Sequence, residues 1–340
     1  MIHDKFVSHC IAHQHRMVSN SNKHFYEDIP PEYEKMLSSG IWYGAAYYRV
    51  LNHFQKTDLI KQWVASGAFF HGYLSEEYFL RIPDPKSPTG IRVNSFRIKE
   101  GQAPSAILDK IEKGMSFLEC GIFCTLSVYK ALCDVLTPEK FDHLFAADSP
   151  FPFHLSGDQF SPIQHLLVKH KINAEKDVRK GDICYFSNIK EYIAKHPVGL
   201  SRGFQVVCSQ DNPHRFIGFG LGSVFESVEL DKSQVECELW WDFNEVPIDE
   251  GFHSSKVWNY LYSFYFDGDY KKGRKLVASY RDKEISWEDF QKQPPRLKTL
   301  GMPAEGKMGL WVYRPSAERI QMLVDAPMDK VREVFASFCT

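Results

Sequence analysis

The sequence predicts an α+β fold, in which helices come first and mainly antiparallel strands follow. Helical spacing of apolar residues predicts one helix from Pro104 to Gly114 and a second at 119–136. Short β-like runs then follow one another at 183–186, 204–208 and 216–219. With 340 residues, 44% of them apolar, the chain is long enough to bury one large core or two smaller ones.

The remaining predicted elements lie on either side of this central part. Their predictions rest on apolar periodicity and on turn-forming residues between the runs. In chain order they are an amphipathic helix at 31–64, a strand pair at 78–82 and 91–98, a short helical segment around 164–170, a helix around 286–291 and a last helix at 327–338.

Composition divides the chain into three parts. Residues 1–30 are a His-rich leader that could be poorly ordered, set off by an acidic, proline-marked stretch. Residues 31–223 form the expected core. Residues 224–340 form a C-terminal α+β extension, packed on the core or following it, with aromatic runs at 239–241 and 260–266. A second small core explains those aromatic residues best, although they would also suit contacts with a protein substrate.

Charge and hydropathy exclude several classes of partner. The net charge is −2 and the pI is near 6.7, so the positive surface that nucleic acid or anionic lipid requires is missing. No apolar run approaches the roughly 20 residues of a membrane helix. Residues 1–17 lack the features of a signal peptide, so we expect a cytoplasmic protein, and export as an effector stays a hypothesis without a motif.

Cys120 is the residue whose position suggests chemistry. It lies at the predicted start of a strongly apolar helix, where free amides and the helix dipole favour a thiolate. Glu119 beside it is a candidate proton acceptor if the first helical turn is bent. Cys124 and Cys133 lie deeper in the same helix and are expected in the core.

No metal or cofactor is expected. Cys120 and Cys124 share a helix face, but no second pair at familiar spacing completes a metal site. A denser group, His9, Cys10, His13 and His15, lies in the leader with little to fix its geometry, so adventitious binding is the better interpretation there. Calcium dependence has no cluster of oxygen ligands to support it.

Several stretches between residues 66 and 222 form a pattern that is found in a known family. They are 66–70, 103–105, Phe117-Leu118-Glu119-Cys120, Gly181-Asp182-Ile183-Cys184-Tyr185-Phe186, 202–203 and 219–222. In order and spacing they are similar to the protein-glutamine gamma-glutamyltransferases (transglutaminases) of bacterial spore coats.

The resemblance implies a compact papain-like fold, in which a helix bearing the nucleophilic cysteine packs on a mainly antiparallel sheet. It also implies a thiol enzyme that forms an acyl intermediate with a glutamine of a protein substrate. Passing the acyl group to an amine gives a cross-link, whereas water gives deamidation. Cys120 matches the nucleophile, and Glu119 matches the adjacent acid that can share the base role.

Two positions depart from the family pattern. Phe204 stands where the family has its principal second acid, and Phe219 stands where it has a histidine. Either Glu119 acts alone, or a residue of the loop 189–200 replaces the acid, with His196 as the candidate, or catalysis has been lost. Asp182 is interpreted as a structural acid at the start of a strand rather than a catalytic one.

Three functions remain open at this point. The first is a transglutaminase or glutamine deamidase that uses Cys120. The second is a thiol peptidase or isopeptidase on the same fold, which shares the acyl-enzyme step. The third is a protein-binding module that has kept the fold and lost turnover, which the substitutions Phe204 and Phe219 suggest.

Overall fold

The computed structural model describes residues 1–26, 74, 77–83, 91–113, 118, 120–156, 161–188, 203–218, 229–237, 272, 275–276, 279, 283–292 and 307–339. It shows the α+β fold that the sequence predicts. The described helices are α1 (Ile2–Tyr26), α2 (Pro104–Lys113), α3 (Cys120–Val135), α4 (Pro138–Phe145), α5 (Trp287–Lys292), α6 (Ala317–Asp325) and α7 (Val331–Ala336). No helix in these parts of the chain combines the length and apolarity needed to cross a bilayer.

The strands form two antiparallel sheets. The smaller has the order β1-β2-β3, and the larger has the order β4-β9-β5-β6-β7-β8. Their bounds are β1 (Phe79–Pro83), β2 (Ile91–Ile98), β3 (His154–Ser156), β4 (Leu167–Lys171), β5 (Ile183–Ser187), β6 (Gly203–Asp211), β7 (His214–Ile217), β8 (Glu229–Leu230) and β9 (Lys307–Pro315).

The middle of the larger sheet is buried on both faces. Successive side chains of a strand point to opposite faces, so β5, β6 and β7 each contribute to two apolar clusters. Ile183, Val207 and Ile217 pack with the helices in the main core. Phe186 and Phe204, which are paired across β5 and β6, belong to the separate cluster on the other face.

Helix α3 lies at the centre of the main core. An unbroken stretch of its residues, from Ile122 to Leu132, is buried. Apolar side chains of α1, of the smaller sheet and of the helix-facing side of the larger sheet belong to the same core, and Phe6, Phe96 and Val207 are examples. This burial places the helix, and therefore its first residue, in a single position relative to the larger sheet.

Residues 2–26, within the stretch predicted as a leader, form a helix packed on α3. Phe6, Cys10 and Met17 are buried along one face of α1. Gln14 is also buried, and its amide oxygen accepts a hydrogen bond of 2.5 Å from Ser127 of α3. The contact surface of α1 is therefore partly polar, which explains why a search for apolar periodicity misses it.

A charged network closes the far end of the contact between α1, α2 and α3. His13 of α1 lies between Asp134 of α3 and Glu112 of α2. Burial alone would lower the pKa of His13, but its hydrogen bonds to these two carboxylates raise the pKa above its ordinary value. Lys130 and Arg16 pair with Glu112 and, against the effect of burial, help to hold the pKa of that carboxyl well below its usual range.

The C-terminal part of the chain contributes a strand to the larger sheet. Strand β9 lies between β4 and β5, so residues on both sides of the predicted boundary at residue 223 share one sheet. Val312 is buried and Met308 packs on the same cluster, whereas Trp311 and Tyr313 are exposed. This alternation is a strand signal that the sequence analysis missed.

Other differences from the predicted elements are local. The segment predicted as helical at 164–170 is a short 3₁₀ turn, Pro162–Leu166, followed by β4. The last predicted helix is a 3₁₀ turn, Met328–Lys330, followed by α7. The predicted helix at 31–64 and the aromatic runs at 239–241 and 260–266 lie outside the described residues.

The Gly-Asp pair before β5 has a structural purpose. Gly181 has a φ of +90°, and a β-carbon added there would lie 2.7 Å from Val7 of α1. The buried carboxylate of Asp182 accepts two hydrogen bonds of 2.7 Å from the guanidinium of Arg314 on β9. It also accepts one from the backbone N–H of Arg179 at 2.8 Å. These contacts support the interpretation of Asp182 as a structural acid.

Replacing Phe6 by alanine is expected to lower the free energy of unfolding by about 3–5 kcal/mol, because Phe6 of α1 is fully buried in the main core. Urea unfolding followed by circular dichroism measures the change. The matched control is Lys5→Ala, which removes the exposed neighbouring side chain and should have little effect. Equal stability of the two variants would contradict the packing of α1.

Replacing Asp182 by alanine is expected to cost about 3–5 kcal/mol, because Arg314, whose side chain is only 19% exposed, would keep its charge without its carboxylate. Asp289→Ala, which removes an exposed partner of Lys292, is the control and should change stability little. The measurement is again urea unfolding. A loss of activity in Asp182→Ala without a loss of stability would favour a catalytic role instead.

Candidate active site

Cys120 is the first residue of α3 and lies where the main core meets the larger sheet. It is partly exposed, whereas Cys124, one turn further along the helix, is buried. The first amides of a helix have no partner within it, and the helix dipole places partial positive charge there. This location favours negative charge on the Cys120 sulfur.

Strand β6 brings a second donor to the same sulfur. The backbone N–H of Gln205 donates a hydrogen bond to Cys120 Sγ, with 3.4 Å between nitrogen and sulfur. A donor in this place stabilises a thiolate more than a thiol, because the charged acceptor makes the stronger hydrogen bond. The sequence analysis did not single out Gln205.

Phe204 and Gln205 lie on opposite faces of the sheet. Phe204 is buried in the cluster that faces away from α3, opposite Phe186. The residue of β6 that meets Cys120 is therefore Gln205, and Phe204 does not lie against the thiol. The period-two alternation of a strand could have separated these two neighbours from the sequence.

Tyr185 lies on the same face of the sheet as Gln205, its partner across β5 and β6. Its side chain runs over Gly203, because a β-carbon added at Gly203 would be 2.5 Å from the Tyr185 hydroxyl. Only glycine fits at position 203 with the ring in this place. The Arg-Gly stretch noted in the sequence therefore makes room for an aromatic side chain on the face that Cys120 meets.

The other candidate site residues fall outside this arrangement. Glu119 and His196 lie outside the described residues, as does Phe219, so their predicted roles stay predictions. Asp182 is engaged with Arg314. Among the residues that the structure describes, the site thus brings together Cys120, Gln205 and the neighbouring Tyr185.

Several other cysteines are poorly suited to act as nucleophiles. Burial raises the pKa of Cys10, Cys133 and Cys208 to about 12 in each case, and it raises the pKa of Cys184 well above its ordinary value. A thiol with so high a pKa is almost wholly protonated at neutral pH and attacks slowly. Cys133 is thereby placed with the inert thiols, as expected.

The residues that could hold a metal ion lie elsewhere. In the described part of the chain, His9, His13 and Asp134 bring three potential ligand atoms together. Asp134 is near the C-terminal end of α3, roughly 21 Å along the helix axis from Cys120 at 1.5 Å per residue. A metal ion there would take no part in chemistry at the thiol.

Comparisons with known proteins find a likeness of structure but none of sequence. No protein-family model matches the sequence, and no curated protein matches it. A solved structure described as the transglutaminase from Geobacillus stearothermophilus, without its C-terminal extension, is similar to this chain. The two are 14% identical, the match covers 70% of this chain and 82% of that chain, and the TM-score is 0.42. This is a likeness of backbone arrangement, and it does not say which residues react.

Proposed function

We propose that the chain is a transglutaminase-like cysteine acyltransferase that acts on protein glutamine through Cys120. The observation that carries this proposal is the position of the Cys120 sulfur, at the N-terminus of a buried helix and in contact with the backbone N–H of Gln205. Both features favour a thiolate, which is the species that attacks an acyl carbon.

The arrangement of α3 and the sheet supports the papain-like form of this proposal. The helix that begins with Cys120 packs along the sheet, and β6 reaches the sulfur through Gln205. Because α3 is buried from Ile122 onward, the sulfur cannot move away with the helix. A nucleophile held in one position lowers the barrier, because less translational and rotational entropy is lost in reaching the reactive geometry.

The reaction begins when the Cys120 thiolate attacks the carbonyl carbon of a glutamine side chain. A carbon–sulfur bond forms, and the carbonyl oxygen becomes an oxyanion. Backbone N–H groups at the start of α3 are suited to stabilise that oxyanion. Collapse of the intermediate breaks the carbon–nitrogen bond, the nitrogen takes up a proton, and ammonia leaves behind a thioester.

The second half of the reaction returns the enzyme to its starting state. A lysine amine attacks the thioester carbon and loses a proton, and the Cys120 thiolate is expelled as an isopeptide bond forms. Water in place of the amine gives glutamate, so the same intermediate accounts for deamidation. The proposed partners are therefore a protein with accessible glutamine and an amine or water as acceptor.

Glu119 and His196 are the proposed proton carriers. Glu119 precedes the nucleophile directly, and His196 lies in the segment of sequence between β5 and β6. That segment is followed by β6, the strand whose Gln205 contacts the sulfur. A carboxylate or an imidazole can each take the thiol proton and return it to the leaving ammonia.

Replacing Cys120 by alanine is expected to reduce both amine incorporation and ammonia release to the uncatalysed background, because the acyl intermediate can no longer form. The assay follows incorporation of a fluorescent primary amine into casein, alongside ammonia release. Cys339→Ala, which removes an exposed thiol near the C-terminus, is the matched control and should keep both activities.

Other outcomes of this assay separate the alternatives. Ammonia without amine incorporation would mean deamidation. Cleavage of a peptide or isopeptide without either signal would favour a thiol peptidase. If the intact protein gives no signal, and Cys120 reacts with iodoacetamide no faster than free cysteine, the protein is a binding module and the proposal fails.

The base is tested with two changes that each replace an ionisable side chain by a neutral amide. If Glu119 is the base, Glu119→Gln should lower kcat/KM by about 10²–10⁴ and remove the acidic limb of the pH profile, while His196→Gln should keep both. If His196 is the base, His196→Gln should show the loss in kcat/KM and the loss of the acidic limb, while Glu119→Gln should keep both. Small and equal losses in both variants would contradict a base role for either residue.

A further inference from the structure

Helices α1 and α3 bring two imidazoles and a carboxylate to one point. His9 and His13 are four residues apart and so lie on one face of α1, and Asp134 faces them from α3. Each offers one potential ligand atom, and the three atoms lie within 4.8 Å of one another. The sequence shows the two histidines but gives no sign of Asp134, which is more than 120 residues away.

The distances suit a small metal ion after a small movement. His9 Nδ1 is 3.0 Å from Asp134 Oδ2, and His13 Nε2 is 2.5 Å from the same oxygen. Ligands of a tetrahedral zinc ion, at bond lengths near 2.0–2.2 Å, are about 3.3 Å apart. Asp134 must therefore withdraw from His13 by less than about 1 Å, which its partly exposed side chain allows.

Glu112 of α2 is positioned to hold the His13 ring in a metal-binding orientation. His13 Nδ1 is 3.3 Å from Glu112 Oε2, so a proton on Nδ1 can be donated to Glu112 while Nε2 faces Asp134. A carboxylate behind a histidine ligand is a recurrent feature of zinc sites, because it fixes the tautomer and strengthens the ligand. Glu112 is itself held by Lys130 at 3.0 Å.

Arg16 also approaches the ring from behind. Its Nη2 is 2.5 Å from His13 Nδ1, while its Nε pairs with Glu112. An Nδ1 that carries a proton for Glu112 cannot also accept a hydrogen bond from Arg16. Arg16 then keeps only its contact with Glu112. Its side chain is 49% exposed, so this adjustment needs no change in the core.

The cluster is open to solvent on one side and closed on the other. The side chains of His9 and Asp134 are 34% and 31% exposed, whereas His13 is 3% exposed. An ion can enter from the open side and keep water as its fourth ligand. The carboxylates of Asp109, Glu112 and Asp134 outnumber the cations Arg16 and Lys130, so the surroundings favour a positive ion.

We propose that His9, His13 and Asp134 bind a divalent transition-metal ion of the zinc class, which joins α1 to α3. Two imidazole nitrogens and one carboxylate are a ligand set that suits Zn²⁺, whereas Mg²⁺ and Ca²⁺ prefer oxygen ligands alone. The ion would link two helices that the fold already packs together, at the end of α3 opposite to the thiol. This proposal does not depend on the acyltransferase function.

The test is direct binding of Zn²⁺ to the full chain after treatment with a chelator. Isothermal titration calorimetry is expected to show one equivalent of Zn²⁺ bound with high affinity and no binding of Mg²⁺. Cys120→Ala is titrated in parallel and should bind the same equivalent, since the thiol is not a ligand of this site. Loss of the equivalent in Cys120→Ala would place the ion at the thiol and overturn the proposal.

Two variants and a matched control locate the site. His9→Ala and Asp134→Asn are each expected to weaken Zn²⁺ binding at least tenfold, while His15→Ala, which removes an exposed histidine of the same helix, should leave it unchanged. Circular dichroism checks that each variant is folded. An equal loss in His15→Ala and His9→Ala would mean adventitious surface binding only.

Thermal unfolding supplies an independent readout. Zn²⁺ should raise the Tm of the intact protein and of His15→Ala, because an ion bound only by the folded state stabilises it. It should not raise the Tm of His9→Ala or Asp134→Asn. Absence of any Zn²⁺ equivalent in the intact protein would leave the three residues as an ion-pair network and overturn the proposal.

Discussion

The burial of α3 is the constraint on which the rest of the structure depends. The helix is covered by α1, by the smaller sheet and by the larger sheet, and its side chains from Ile122 to Leu132 are withdrawn from solvent. A helix packed in this way cannot slide or rotate without losing apolar contacts. Its two ends are therefore fixed points, and both have candidate functional residues.

At the N-terminal end, the constraint fixes the position of Cys120, the proposed nucleophile. The sulfur of Cys120 remains partly exposed because it lies where α3 emerges beside β6. The same core buries Cys10 and raises its pKa to about 12, whereas Cys120 at the start of α3 is only partly covered. Position relative to the core, more than residue type, therefore distinguishes Cys120 from the buried thiols.

At the C-terminal end, three helices meet through charge as well as through apolar contact. His13 is held between Asp134 and Glu112, and Lys130 and Arg16 compensate the carboxylates. Removing one member of such a network would leave a buried group without its partner, which costs more than the pair contributes. The network therefore sets the register of α1 on α3 as well as forming the proposed ion site.

The sequence by itself determined the elements whose pattern is local: the helix that begins at Cys120, the strand pair β1–β2, the strands β5, β6 and β7, and the turn acid Asp182. Periodicity and turn residues act over a few positions, so they can be found without a partner. Only the tertiary structure decided the contacts of distant segments. Gln205 reaches Cys120 across 85 residues, Arg314 reaches Asp182 across 132, and His13 meets Asp134 across 121. The partly polar contact face of α1 and the central place of β9 belong to the same class, because burial there depends on what packs against the segment and leaves little trace in its own residues.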